Sequence, residues 1–134
     1  MTYLLDSNTC IGWLRQSQPK LMARIKQERP TDIMICSVVL GELYYGAERS
    51  GPIHRANNRS RVEQLRQRFL SLPFDDSTAE EYGRVRAYLA GLGTPIGPND
   101  LMIAAIALVN NLILVTHNTA EFSRVPGLSL EDWQ

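Results

Sequence analysis

At 134 residues, with 44% hydrophobic and 21% charged side chains, the chain has the composition of one globular domain able to bury about two-thirds of its unfolded surface. Fourteen basic and fourteen acidic residues cancel, so net charge points to no class of partner. The nine-residue apolar run Leu101–Val109 is too short to span a bilayer, MTYLLDSNTC lacks a basic leader or cleavage pattern, and Cys10 and Cys36 have no C-x-x-C spacing; a reduced, cytoplasmic domain without a membrane segment is expected.

Tyr3–Leu5 reads as a short buried strand that stops at Asp6, and Asp6, Ser7 and Asn8 offer N-caps for a helix across Cys10–Arg15. A second helix covers Leu21–Glu28. Asp32–Cys36 is a second buried strand, and Ser37 is the expected N-cap of a helix with Leu40, Leu43, Tyr44 and Ala47 at i, i+3, i+4, i+7 spacing. Glu42 lies away from that stripe. After the break Ser50-Gly51-Pro52, Ile53–Leu70 reads as a long helix thinned by arginines, and Leu72–Phe74 as a weak third strand. Ser77 is the expected cap of a helix reaching Leu92. A Gly- and Pro-rich loop then leads into GPNDLMIAAIALV, residues 97–109. Pro98 suits the first helical position, and a carboxylate at Asp100 gains roughly 0.3–1 kcal/mol from the helix dipole. The uninterrupted apolar run behind it marks a buried central helix. Leu112–Val115 is a fourth strand, left through Thr116-His117-Asn118-Thr119, and Leu128–Leu130 a last edge strand.

Strands alternating with helices predict an α/β fold with a mostly parallel sheet covered on both faces, and in such sheets ligands bind beyond the carboxyl ends of the strands. Asp6, Ser37 with Glu42 one turn on, and Thr116–Asn118 follow strands and belong to that rim. Asp100 opens the helix feeding the fourth strand and is expected at the opposite edge unless its loop crosses over. If Asp6, Glu42 and Asp100 meet, each like-charge pair at about 4 Å costs on the order of 4 kcal/mol at an effective dielectric of 20. A protonated acid or a bound cation relieves this. Oxygen ligands without His or Cys favour Mg²⁺ or Mn²⁺, a set suited to attack of water on a phosphodiester. Asn8, Ser37, Thr116 and Asn118 are polar neighbours able to orient ligands or water.

LLDSNTCI at the start, SVVLGELYYGA from Ser37, GTPIGPNDLMIAA from Gly93 and LVTHNTAEFSRVPGLSLEDW from Leu114 resemble, in this order, the PIN-domain nucleases, and among them the VapC-type toxins of toxin–antitoxin pairs. The resemblance spans nearly the whole chain as a single PIN domain. It implies a three-layer α/β/α fold that gathers the acids on one rim. It also implies a Mg²⁺-dependent endoribonuclease, usually a homodimer, held inactive in a larger assembly by a cognate antitoxin. Asp6, Glu42 and Asp100 match the family's metal-binding acids. The fourth acidic position falls on Asn118, which brings an oxygen but no charge; Glu121 either compensates or is a plain first-turn acid.

Arg49, Arg55, Arg59, Arg61, Arg66 and Arg68 fall within twenty residues that hold one acid, Glu63. They form either an RNA-binding arm, with Arg59 and Arg66 as its candidates, or a face for an acidic partner. His54 and His117 lack metal-ligand spacing. Two other functions are open: a catalytically inert PIN-like module that binds RNA or protein, and a phosphatase of the haloacid-dehalogenase type, for which Asn8 leaves no general acid in DSNT.

Overall fold

The computed structural model describes residues 2–134. Its short apolar runs become five strands: β1 (Tyr3–Leu5), β2 (Ile33–Cys36), β3 (Leu70–Leu72), β4 (Ile113–Val115) and β5 (Ser129–Glu131). They form one sheet in the order β3-β2-β1-β4-β5, and every pairing is parallel. Leu4 lies opposite Met34 on one side and Leu114 on the other, so β1 is central. Seven α-helices alternate with the strands among the described residues: α1 (Ser7–Arg15), α2 (Pro19–Gln27), α3 (Ser37–Arg49), α4 (Arg55–Arg68), α5 (Asp76–Gly91), α6 (Pro98–Val109) and α7 (Thr119–Phe122). None is long and apolar enough to cross a membrane.

The chain steps from β1 to β2 to β3 in one direction, then returns across the sheet to β4 and on to β5. Right-handed crossovers therefore put α1–α4 on one face and α5–α6 on the other, and α3 does pack along α4 and α5 along α6. The reversal leaves a crevice between the carboxyl ends of β1 and β4, where ligands of open α/β sheets bind. The core fills both sides of the sheet with Leu4, Leu5, Ile33, Ile35 and Leu114, all fully buried. On α6, Leu101 and all of Ile103–Ala107 are buried, and the three alanines among them let neighbouring backbone approach closely. Each large aliphatic side chain so buried stabilises the fold by about 1.5–3 kcal/mol.

Five expectations are corrected. β3 begins two residues early, at Leu70, because this edge strand needs no continuous apolar run: Leu70 is 64% exposed and Ser71 sits between the leucines. Its start ends α4 at Arg68 rather than Leu70. Asp75, not Ser77, caps α5, its Oδ1 accepting from the Thr78 N–H at 2.9 Å and the Thr78 hydroxyl at 2.7 Å. Ser37 is the first helical residue of α3 rather than its cap. Finally, Asp100 stands at the carboxyl edge. A helix between parallel strands runs antiparallel to them, so α6, whose C-terminal end feeds β4, starts at the edge where the strands end.

Candidate active site

Asp6 leaves β1 in extended conformation, and its N–H donates to the Val115 carbonyl at 3.2 Å, prolonging the β1–β4 ladder. The turn into α1 makes Asp6 the N-cap: Oδ1 accepts from the Thr9 N–H at 2.9 Å. The Thr9 hydroxyl donates to the Val115 carbonyl at 3.2 Å, closing the ring. Asp6 is only 4% exposed, so this capping bond stands in for the lost solvation of one oxygen.

Glu42 arrives from the second turn of α3, and the Ser7 hydroxyl donates to its Oε1 at 2.7 Å. That bond joins the first residue of α1 to α3 and fixes the glutamate beside Asp6. Thr116 follows β4 and is buried; its N–H donates to the Glu131 carbonyl at 3.0 Å, and its Oγ1 accepts from the Asn118 N–H at 3.0 Å. Asn118 is thereby turned back over the end of β4.

Glu121, on α7, spans the remaining gap. Its Oε1 accepts from the Gly97 N–H at 3.0 Å and its Oε2 from the Asn118 side-chain amide at 2.8 Å. Gly97 is the N-cap of α6 and has no side chain with which to cap it, so Glu121 lends one from elsewhere in the chain. These two donors hold the Glu121 carboxyl below the usual glutamate range. Glu121 thus ties the start of α6, which carries Asp100, to the end of β4.

Asp100, in the first turn of α6, is pushed up to about 6, first by burial, then by the charges of Glu121, Asp6 and Glu42. The four carboxylates therefore share one electrostatic environment. Among the described residues, however, no three acidic, His or Cys side chains close on a single point as a finished metal cage. The donor set is oxygen only, and the repulsion felt at Asp100 is what a hard divalent cation relieves. The residues suit such an ion.

Of the polar neighbours, Asn8 is exposed and lines an open cleft of ≈ 430 Å³ with Asn118, His117 and Arg15. Ser37 is exposed at the end of β2, and its hydroxyl donates to the Leu72 carbonyl at 3.4 Å, towards β3. Arg59 lies on the α3–α4 face, paired with Glu48 at 3.3 Å and stacked over Tyr44, whose ring centre is 5.1 Å away. Arg66 stands beside Tyr44 and Glu63 on the same face. The bonds from the Ser7 hydroxyl to Glu42, from the Thr9 hydroxyl to Val115 and from Gly97 to Glu121 are contacts between distant segments with no spacing signal in the sequence.

Residues 3–128 match the PIN domain family. A tRNA(fMet)-specific endonuclease VapC from Salmonella typhimurium is 39% identical over 133 residues, covering 99% of this chain and 98% of that protein. Ribonuclease VapC2 from Rickettsia felis is 34% identical over 134 residues, with 99% and 98% covered. The crystal structure of DNA-bound VapBC from Salmonella typhimurium matches with a TM-score of 0.92 at 37% identity, over 100% of this chain and 99% of that one. Sequence and fold agree from end to end, and the chain belongs to the PIN-domain family, among its VapC members.

Proposed function

We propose that the chain is a divalent-metal-dependent endoribonuclease, the toxin of a toxin–antitoxin pair. The observation that supports this reading is the grouping of Asp6, Glu42 and Asp100 about the β1–β4 crevice, where burial first, and then the charges of Glu121, Asp6 and Glu42, raise the Asp100 carboxyl. Asp6 and Asp100 would hold Mg²⁺ or Mn²⁺, with Glu42 and the Asn118 carbonyl oxygen as further ligands, and the ion would supply Lewis-acid activation of the phosphoryl group and of the attacking water. The chain's own part is positioning. Thr9 occupies one Asp6 oxygen and leaves the other free, Ser7 orients Glu42, and Glu121 holds the α6 terminus in place. The Asn118 amide N–H is engaged by Glu121, which leaves its side-chain oxygen as the acceptor available to a ligand.

Relatives named for tRNA(fMet) support structured RNA, tRNA in particular, as substrate. The solved VapBC relatives support a cognate antitoxin as partner. The test is incubation of antitoxin-free protein with total tRNA in Mg²⁺, Mn²⁺ or EDTA, beside Asp6→Asn, Glu42→Gln and Asp100→Asn. Cleavage that needs the metal and each acid is expected. Full cleavage in EDTA refutes metal dependence, and binding without cleavage leaves an RNA-binding module.

A further inference from the structure

Partnering separates the arginines of α4 and its flanks. Arg55 and Arg59 are both paired with Glu48, at 3.2 and 3.3 Å. Arg49 stacks over Tyr45, and Arg68 over Trp13 and Phe69. Arg66 stands beside Tyr44 and Glu63. Neither Arg61 nor Arg66 has a carboxylate within ion-pairing distance or lies over an aromatic ring among the described residues, but Arg66 is engaged by the Tyr44 hydroxyl, and Arg61 is left without a side-chain partner. It lines an open cleft of ≈ 220 Å³ between α1, α3 and α4, together with Asn58, Glu42 and Arg15. Arg15, at the end of α1, is likewise exposed and unpaired, and it also borders the larger cleft of Asn8, His117 and Asn118 on the other side of α1. Two free guanidiniums thus share a solvent-open groove whose one carboxylate, Glu42, belongs to the acid cluster.

We infer that Arg15 and Arg61 bind backbone phosphates of the RNA beside the scissile one. This rests on the ribonuclease reading above and gives it a substrate path. An exposed arginine already paired with Glu48 must break that pair to take a phosphate, whereas Arg15 and Arg61 have nothing to break. The guanidinium fork matches phosphate oxygens in two-point contacts, and Asn58 adds an amide donor to the same cleft. Glu42 repels a phosphate lying directly over it, so the contacts fall on neighbouring phosphates, with the scissile group left to the acids and their cation.

The test uses the full chain in an Asp6→Asn background, with fluorescein-labelled total tRNA titrated from 50 to 300 mM salt in Mg²⁺. Arg15→Gln with Arg61→Gln is expected to weaken binding by about tenfold or more at 0.1 M salt and to reduce the slope of log affinity against log salt by about 1.4–1.8, a little under one for each contact. Arg59→Gln with Arg66→Gln should change the slope by less than half as much. In the active enzyme, loss of Arg15 and Arg61 should raise KM more than it lowers kcat. A salt slope equal to that of the parent overturns the inference while leaving the ribonuclease reading intact. So does tRNA binding that survives while binding of an acidic antitoxin peptide is lost, since that makes the groove a protein contact. A parent that binds no tRNA overturns the inference and the reading together; a parent that binds and cuts without any contribution from the two arginines overturns the inference alone.

Discussion

Asp100→Asn should make the metal-free protein more stable at neutral pH, although it removes a carboxylate from a favourable helix turn. The folded Asp100 carboxyl sits at about 6 against an ordinary 3.8, a difference of roughly two units. At ~1.4 kcal/mol per unit this reaches ~3 kcal/mol for a fully sequestered group, and solvent around a half-buried side chain reduces it to about 1–2 kcal/mol. Loss of the first-turn charge costs about 0.3–1 kcal/mol, so the net gain is about 1 kcal/mol, or about 3 °C in Tm for a domain of this size. The sign follows from the raised folded value. Above it, the ionised Asp100 destabilises the native state in full. As the pH falls through 6 the native carboxyl takes up its proton, and the penalty is gone once the unfolded group is protonated as well, near pH 4. Thermal unfolding in EDTA should therefore show the Asn variant ahead at pH 8, less so at pH 5, and level with the parent at pH 4. Added Mg²⁺ should reverse the order at pH 8 by stabilising the parent alone. A variant less stable at pH 8, or a difference that ignores pH, refutes the convergence of the acids.

Asp6→Asn keeps an oxygen for the Thr9 N–H and should fold with near-parental urea stability, while Asp6→Ala should lose about 1 kcal/mol with the cap; both should be inactive on tRNA. Asn118→Asp places a carboxylate against Glu121, so the metal-free Tm should fall and the Mg²⁺-induced rise in Tm should grow; an unchanged rise places Asn118 outside the metal's ligands. Ser7→Ala releases Glu42 and should lower kcat by about tenfold with little change in Tm, a value in keeping with a hydrogen bond to a charged group; an unaltered kcat counts against the orienting role. Glu121→Gln removes the strongest of the neighbouring repulsions and should bring Asp100 part of the way down, with burial still holding it above the ordinary aspartate value, which carboxyl carbon-13 titration by NMR reads directly.

Where burial dictates composition, the elements were legible in advance. Tyr3–Leu5, Ile33–Cys36 and Ile113–Val115 sit in the middle of the sheet, and continuous apolar runs announce them. Leu70–Leu72 lies on an edge, where one face suffices, and its pattern was too weak to place to the residue. The acids divide in the same way. Asp6 is marked by its position between a strand and a helix. The rim position of Asp100 follows from the antiparallel return of α6, whose C-terminal end feeds the start of β4. The bonds from Gly97 to Glu121 and from Ser7 to Glu42 join segments 24 and 35 residues apart, and no local rule of capping or periodicity reports such a meeting. Among the arginines, composition gave the cluster, but only the neighbours of each guanidinium distinguish those held by Glu48 from those left free.

The central position of β1 also sets a timetable. The ribosome delivers Tyr3–Leu5 first, and β2 follows soon after, but the other neighbour begins only at Ile113. Until then the Asp6 N–H lacks the Val115 carbonyl and Asp100 has only lately emerged. Thr116 waits longer still, for Glu131. A nascent chain can thus build α1–α4 on half a sheet while the crevice that would gather its acids does not yet exist. For a ribonuclease of the kind proposed, a fragment broken off before α6 would carry two of the acids without the surface that unites them.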